Sequence, residues 1–403
     1  MKPKFYRKVL RNGMTIIFEK RDVPVVAVAF ALRCGGINES AGDKGISHYI
    51  EHMLYKGTPS RNVRQIAEEI ERNGGVLNGF TDEMVTAYWC KMPSKHINTA
   101  LDVLSDMIKN PLFDQKELEK ERKVIFEEIK MRKDTPMVYV HDEIHTFMYE
   151  KPFGIPLIGT YETMNSIDRQ KILGRFKEIY VPKNMILCVV GDVEFLKLVK
   201  YVEKNFDRDK PKANSRVSTY DIKIKNEQRV EKRKGVDQAN LIFAYHVPLS
   251  SDPKSYAAEV LSALMAEGMS SRLFHEIRET RNMAYAVKGD SYINSDFAYN
   301  LIYVGTTKEN VDKVKDLILK EFDKVCKDLG EKEFNQVRDQ LIGHYQISME
   351  DSVDQMTRLL QHEINGNVKD FYDYEKKIKN VKLKDVKDLA KIKDYSFFAL
   401  IPD

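Results

Sequence analysis

Two histidines and a glutamate stand close together in the segment GISHYIEHMLYKGT, residues 45–58. On a helix, His48 and His52 lie on one face, about 40° apart, because each residue advances the helix by ~100°. Glu51 lies about 60° to the other side of His48, so its carboxylate can reach the same space. Two imidazoles at this spacing can hold Zn²⁺, and a neighbouring carboxylate can act as a base rather than a ligand. The order H-x-x-E-H is the reverse of the HExxH zinc helix.

The motif alone also fits a surface helix that carries two ordinary histidines. The neighbouring residues favour the metal site, because this helix is apolar on nearly all sides. Its apolar residues are Ile46, Tyr49, Ile50, Met53 and Leu54. Buried imidazoles and a buried carboxylate cost several kcal/mol unless they have partners, and a bound zinc ion is such a partner.

A catalytic zinc ion needs a third protein ligand and an open position for water. The predicted helix at residues 115–133 offers Glu121 and Glu128, which are seven residues apart and share a face within ~20°. Val124 and Ile125 lie between them and are expected on the same face, whereas Glu127 points about 100° away from Glu128. We assign Glu128 as the ligand and Glu121 as its support, which orients a ligand or tunes the site. The alternative for Glu121 is a salt bridge to Arg122 or to a nearby lysine.

A second pair of histidines, His141 and His145, has the same spacing. Here Glu143 points about 160° away from His141 across the helix. No second helix with paired carboxylates accompanies the pair, so we interpret this segment as a structural helix.

The order of predicted elements positions the motif near the start of an α+β unit. Strands are predicted at residues 15–19 and 25–32, and helices at 46–55 and 115–133. After residues 209–235, a charged stretch that we interpret as a linker, a similar order of elements begins again and ends on a strand at 396–401, preceded by two helices. We therefore predict a duplicated fold, with domains at residues 1–208 and 236–403.

The composition excludes several classes of protein. The chain has 403 residues, 65 Lys and Arg, and 61 Asp and Glu, so its net charge of +4 does not favour a nucleic-acid partner. No apolar stretch reaches the ~18 residues of a membrane span, and no secretory signal is expected at the start. The four cysteines are far apart and form no CxxC pair, which favours free thiols and a cytoplasmic setting.

The sequence resembles the M16 metallopeptidases, a family that includes insulin-degrading enzyme and mitochondrial processing peptidase, and it is most similar to short bacterial members. The resemblance covers nearly the whole chain and rests on LRNGMTIIFE, GISHYIEHMLYKGT, ERKVIFEEIKMRKDTP, Pro152-x-Gly154, Pro182-x-Asn184-Met185 and Gly191-Asp192. It places His48, His52 and Glu128 at the zinc-ligand positions. Glu51 falls at the position of the catalytic base and Glu121 at that of the supporting glutamate.

Two further blocks are identified through the resemblance. Asn78-Gly79 stands where the family usually has Asn-Ala, a pair that contacts substrate beside a strand edge that binds extended peptide; turn chemistry after Gly74-Gly75 is the alternative for Asn78. Arg278 and Tyr285 match an Arg-x6-Tyr pair that lines the active site and stabilises charge on the scissile carbonyl. Asn282 occupies the place of a family glycine between them, which bears on the local turn geometry.

The resemblance implies two homologous α+β domains, each an antiparallel-dominated sheet with helices packed on one face, together forming half of a clamshell. It also implies one zinc ion per chain and a homodimer, or a heterodimer with a paralogue, that encloses a chamber. The predicted function is zinc-dependent endopeptidase activity on short or unfolded polypeptides, with Glu51 as general base. The alternatives are a processing peptidase for targeting presequences and a non-catalytic structural subunit of the same fold.

Overall fold

The computed structural model describes residues 4–206 and 217–403. Its strands, in chain order, are β1 (Lys4–Val9), β2 (Thr15–Lys20), β3 (Val25–Leu32), β4 (Val76–Thr81), β5 (Thr86–Pro93), β6 (Met185–Gly191), β7 (Gln228–Arg233), β8 (Ala239–His246), β9 (Ala284–Ile293), β10 (Ala298–Thr306) and β11 (Ser396–Pro402).

The α-helices are α1 (Ile46–Leu54), α2 (Val63–Glu71), α3 (Ile97–Lys109), α4 (Gln115–Asp134), α5 (Pro136–Met148), α6 (Tyr161–Ser166), α7 (Arg169–Ile179), α8 (Phe195–Phe206), α9 (Ser255–Ala266), α10 (Val311–Asp328), α11 (Glu331–Ser348), α12 (Ser352–Ile364), α13 (Asp370–Asn380) and α14 (Leu383–Leu389). Four helices, α11 to α14, therefore lie between α10 and the last strand, where the sequence predicted two.

Two sheets organise these elements, and the predicted α+β class with antiparallel-dominated sheets is confirmed. The first has the order β1-β2-β6-β3-β5-β4, with one parallel pair, β2 and β6. The second has the order β7-β11-β8-β10-β9, also with one parallel pair, β7 and β11. Each sheet therefore has one inserted parallel strand, which fits a duplicated unit.

The two compact units are not continuous in sequence. The first comprises residues 4–129, 157–206, 217–220 and 348–368, and the second comprises 130–156, 221–347 and 369–403. The predicted boundaries at 208 and 236 follow chain order, whereas the packing assigns α5 to the second unit and α12 to the first. Residues 209–216 of the predicted linker lie outside the described residues, and a later part of it forms β7.

The helix α12 packs on one face of the first sheet, opposite to the face that carries the main core. Ile16 and Phe18 of β2 belong to the main core, whereas Glu19 accepts a hydrogen bond from Gln355 of α12 at 2.5 Å. Because side chains alternate along a strand, Glu19 and Phe18 lie on opposite faces. The expected helical layer on one face is thus accompanied by a helix on the other.

An ion-pair cluster fixes the end of α12. The carboxylate of Glu363 accepts hydrogen bonds from Arg7 at 2.8 Å and from Arg33 at 2.6 Å. Burial alone would raise the pKa of Glu363, but the two guanidinium groups outweigh it and hold that pKa below its ordinary value. The ionised form of Glu363 is therefore the one that stabilises this unit.

The second unit is built in the same way. Phe397 belongs to the main core of that unit, whereas Phe398 stacks on Phe147 of α5 with ring centroids 5.2 Å apart. The hydroxyl of Ser396 also donates to the carbonyl of Phe147, at 3.0 Å. The helix α5 therefore covers one face of the second sheet, as α12 covers one face of the first.

Candidate metal centre

The helix α1 carries both histidines, and its start is held by a carboxylate from outside the helix. Gly45 precedes α1 at φ 93°, and a Cβ there would lie 2.6 Å from the carbonyl oxygen of Ile158, so the position requires glycine. Glu39 accepts hydrogen bonds from the backbone N–H groups of Gly45 (2.9 Å) and Ser47 (2.7 Å). These contacts satisfy free donors at the helix start and fix the direction of α1.

The structure brings His48, His52 and Glu128 together. The Nε2 atoms of both histidines lie 3.7 Å from Oε2 of Glu128, and the two imidazole rings have centroids 4.5 Å apart. One ligand atom from each residue lies within 4.8 Å of the others. Zinc binds His nitrogen and carboxylate oxygen at about 2.0–2.2 Å, so ligand atoms around one ion are about 3.3–3.6 Å apart. The donor set therefore fits zinc with small adjustments.

Glu121 contacts His52 at the ring nitrogen that does not face Glu128. Its Oε2 lies 3.1 Å from Nδ1 of His52, and its Oε1 lies 2.6 Å from Nζ of Lys56. Burial alone would raise the pKa of Glu121, but the hydrogen bond to His52 and the ammonium group of Lys56 give a net lowering of that pKa. An ionised Glu121 accepts a hydrogen bond from Nδ1–H of His52 and so leaves Nε2 of His52 available for a metal, the arrangement common in carboxylate–histidine–zinc sites.

Glu51 lies beside the three donors without belonging to them. It is nearly buried, and the hydroxyl of Thr81 donates a hydrogen bond to its Oε2 at 3.3 Å. Burial raises the pKa of Glu51, against the opposing effects of His52 and Thr81. A carboxylate with a raised pKa beside a ligand cluster suits proton transfer better than metal binding.

The buried stripe of α4 differs in one residue from the prediction. Leu118, Glu121 and Ile125 are buried, but Val124 is 48% exposed and does not belong to the stripe. Relative to Glu121, Leu118 lies about 60° and Ile125 about 40° to one side, whereas Val124 lies about 60° to the other. The buried face of α4 is therefore centred on the side of Glu121 that carries Leu118 and Ile125, and Val124 lies outside it. Glu127 is exposed, as expected.

Asn78 and Gly79 lie within β4, the strand at one edge of the first sheet, and not in a turn. Asn78 pairs with Trp89 of β5, and its exposed side chain accepts a hydrogen bond from the N–H of Gly79 at 2.8 Å. Its neighbour Gly79 lies close to Glu51, because a Cβ at Gly79 would lie 3.0 Å from Oε1 of Glu51. The edge strand thus runs beside the candidate base.

Arg278 and Tyr285 belong to the second unit. Arg278 lies on a π-helical turn, Phe274–Thr280, and packs over the ring of Phe274. Tyr285 lies on β9 and is 47% exposed, with its hydroxyl 3.4 Å from that of Tyr303. Asn282 has φ 52°, the left-handed conformation that asparagine tolerates better than most residues. A residue in the left-handed conformation therefore stands at the position where the family usually has glycine.

The second histidine pair, His141 and His145, lies on α5, and one ring nitrogen of each histidine contacts a hydroxyl or a backbone carbonyl. Nε2 of His145 is 2.8 Å from the hydroxyl of Tyr299, and Nδ1 of His141 is 2.7 Å from the carbonyl of Met137. Within residues 4–206 and 217–403, the one group of three or more potential metal donors is His48, His52 and Glu128.

Three residues that contact the site or the start of α1 were not predicted from the sequence: Glu39, Lys56 and Thr81. Lys56 lies just beyond the end of α1, close in sequence to His52, and is one of the lysines near enough to form the salt bridge that was the alternative for Glu121. Thr81 lies two residues after Gly79, and strand alternation places both on one face. Glu39 precedes α1 by several residues, and no local pattern marks it.

Two family profiles match the chain. Residues 15–161 match "Insulinase (Peptidase family M16)", and residues 166–341 match "Peptidase M16 inactive domain". The uncharacterized zinc protease YmxG of Bacillus subtilis (strain 168) is 30% identical over 98% of both chains. This chain belongs to peptidase family M16. A zinc protease of Rickettsia felis, also uncharacterized, is 31% identical over 85% of this M16 chain and 83% of its own.

Solved structures show the same fold. A protease from Helicobacter pylori aligns with a TM-score of 0.93 and 22% identity, over 99% of this M16 chain and all of its own. A peptidase M16 inactive domain from Pseudomonas fluorescens aligns with a TM-score of 0.90 and 16% identity, over 99% and 98% of the two chains. The predicted family and fold are thus confirmed. Across the described part of this M16 chain, no helix combines the length and apolar character that crossing a membrane requires.

Proposed function

We propose that this M16 chain is a zinc-dependent endopeptidase that hydrolyses short or unfolded polypeptides. The observation that carries the proposal is the complete donor set of His48, His52 and Glu128, with Glu51 beside it and outside it. The zinc proteases among its relatives support the same class of reaction. An intact donor set favours a peptidase over a structural subunit, for which the ligands have no use.

In the proposed mechanism Glu51 moves the protons. It accepts a proton from the attacking water and delivers it to the amine that leaves the cleaved peptide bond. Thr81 holds one carboxylate oxygen of Glu51, and Glu121 holds His52 in the tautomer that leaves Nε2 available. When bound, zinc supplies Lewis-acid polarisation of the carbonyl and acidifies a water molecule.

Arg278 and Tyr285 are proposed to act on the same reaction from the second unit. Both side chains are about half exposed, so their donors are accessible to a substrate. A guanidinium and a phenol hydroxyl are suitable donors to the negative charge that develops on the carbonyl oxygen. We assign one zinc ion per chain and a homodimer in which this pair faces the zinc site of the partner; a heterodimer with a paralogue is the alternative.

The substrate is proposed to bind as an added strand. β4 is an edge strand beside Glu51, and backbone pairing at such an edge reads little of the peptide sequence. An enclosed chamber, as the family resemblance implies, would favour short or unfolded chains. A processing peptidase for targeting presequences would use the same chemistry. The cysteine spacing supports a cytoplasmic setting as part of this proposal.

The proposal is tested by zinc content and by cleavage of an unstructured peptide library, with and without a chelator. Cleavage by the metal-loaded protein, lost on chelation and restored by zinc, is expected. Glu51→Gln should keep zinc and lose nearly all hydrolysis, whereas His48→Ala, His52→Ala and Glu128→Gln should lose zinc.

The control variant is Glu127→Gln, on the exposed side of the same helix, which should change little. Near wild-type turnover by Glu51→Gln would refute the role of Glu51 as base. Equal metal loss at positions 127 and 128 would refute the assignment of the third ligand.

A further inference from the structure

The hydroxyl of Tyr55 is buried at the end of α1 and has no hydrogen-bond partner among the described residues. Neighbouring tyrosines are satisfied: the hydroxyls of Tyr88 and Tyr180 lie 2.6 Å apart, and Tyr49 donates to the carbonyl of Leu118. A buried hydroxyl without a partner is unfavourable for the folded state. When a hydroxyl that destabilises the folded protein lies at a candidate active site, a functional role is a reasonable explanation.

Gly79 creates the space that this hydroxyl occupies. A Cβ at position 79 would lie 2.4 Å from the hydroxyl oxygen of Tyr55 and 3.0 Å from Oε1 of Glu51. The two oxygens therefore approach the same point, just above the backbone of β4. The family resemblance predicts alanine here, and that methyl group is incompatible with the present position of the Tyr55 hydroxyl.

Among the described residues, the hydrogen-bond donor to the Glu51 side chain is Thr81, which reaches one of its two oxygens. Thr81 donates to Oε2, whereas Oε1 faces the space shared by Gly79 and Tyr55. A carboxylate held at both oxygens has one orientation, and the rate of proton transfer depends on that orientation.

We propose that Tyr55 is a positioning residue, whose hydroxyl donates a hydrogen bond to Oε1 of Glu51 directly or through one water molecule. Gly79 is the residue that permits this contact. The inference rests on the proposed function, because it assigns Tyr55 a role through the catalytic base.

The first test is Tyr55→Phe in the zinc-loaded protein. We expect kcat to fall about tenfold, the effect of one hydrogen bond to a charged group. KM and zinc content should stay unchanged, and the melting temperature should change little, because phenylalanine fills the same space and no longer buries a hydroxyl, which offsets the lost hydrogen bond to Glu51.

The matched control is Tyr201→Phe. The hydroxyl of Tyr201 donates to the carbonyl of Leu101 at 3.0 Å, within the same unit but outside the site. This variant should lower the melting temperature and leave kcat unchanged, the opposite of Tyr55→Phe. A purely structural role of Tyr55 would give the pattern of the control.

The second test is a double-mutant cycle. Gly79→Ala alone should reduce kcat more than Tyr55→Phe, because its methyl group displaces the hydroxyl and disturbs Glu51. Adding Tyr55→Phe to Gly79→Ala should raise kcat towards the level of Tyr55→Phe, because the nearer of the two oxygens that conflict with the methyl group is gone.

Two results would overturn the inference: a kcat of Tyr55→Phe within twofold of wild type, or a double variant no better than Gly79→Ala. An inactive wild-type protein, or an active Glu51→Gln variant, would instead reject the proposed function itself.

Discussion

Removing the carboxylate of Glu121 should weaken zinc binding although this residue is not expected to touch the ion. Glu121 contacts Nδ1 of His52 at 3.1 Å and Lys56 at 2.6 Å, and it is only 6% exposed. Glu121→Gln keeps an oxygen that can accept a hydrogen bond from Nδ1–H of His52 but loses the negative charge. Glu121→Ala loses both and leaves the imidazole free to rotate.

The size of the effect follows from these contacts. Loss of a carboxylate behind a histidine ligand typically reduces metal affinity 10- to 100-fold. We therefore expect about tenfold for Glu121→Gln and about a hundredfold for Glu121→Ala. These factors correspond to about 1.4 and 2.7 kcal/mol.

The assay is a competition titration of the metal-free protein with zinc and a chromophoric chelator at neutral pH. The matched control is Glu127→Ala, an exposed position on the same helix, which should keep the wild-type affinity. Zinc affinity of Glu121→Ala within twofold of wild type would refute the supporting role. An equal loss in Glu127→Ala would show that the orientation of α4 is wrong.

Three further predictions concern other parts of the molecule. Glu363→Gln should lower the free energy of unfolding by about 2 kcal/mol at pH 7; because the folded-state pKa of Glu363 is depressed, urea titrations should show this difference shrinking as the pH falls through and below the ordinary glutamate range. Asn282→Ala should lower the free energy of unfolding by about 1 kcal/mol and the melting temperature with it, whereas Asn282→Gly should not, because the residue has φ 52°. Equal melting temperatures of the two variants would contradict the assigned conformation. If the Arg278/Tyr285 pair acts across a homodimer, mixing a zinc-dead chain with an Arg278→Ala/Tyr285→Phe chain should restore about a quarter of wild-type activity; no recovery in heterodimers verified by mass analysis would reject a site shared across the two chains.

The central elements of the fold were readable from the sequence because they are strongly patterned. β3 was predicted at its observed bounds, and β2, α1 and α4 differ from their predicted bounds by one residue at their ends. β1 and β4 were not predicted. They are edge strands, so β1 carries charged residues on exposed positions and β4 contains Asn-Gly, a sequence that usually marks a turn.

The relations between the site residues were likewise predictable in part, namely where the residues belong to one element. Helical periodicity was sufficient to place His48 near His52, and Glu121 near Glu128, because both relations are local. Contacts between elements depend on tertiary packing, which one sequence does not determine. Thr81 reaches Glu51 from a strand, and Glu39 reaches the start of α1 from a preceding loop. Arg278 and Tyr285 depended on the family resemblance altogether, because by themselves they are an ordinary arginine and an ordinary tyrosine.

The position of α12 in the first unit has a consequence for the order in which the chain can fold on the ribosome. The last strand of the first sheet, β6, ends at Gly191, but the helix that covers one of its faces ends at Ile364. At typical rates of about 5–20 residues per second, translation of the interval takes on the order of ten seconds or more. During that time the buried alanines of β3 and the thiol of Cys188 face solvent or a chaperone. A nascent chain stalled before α12 should therefore be captured by chaperones, whereas one that has released α12 should resist proteolysis in its first unit.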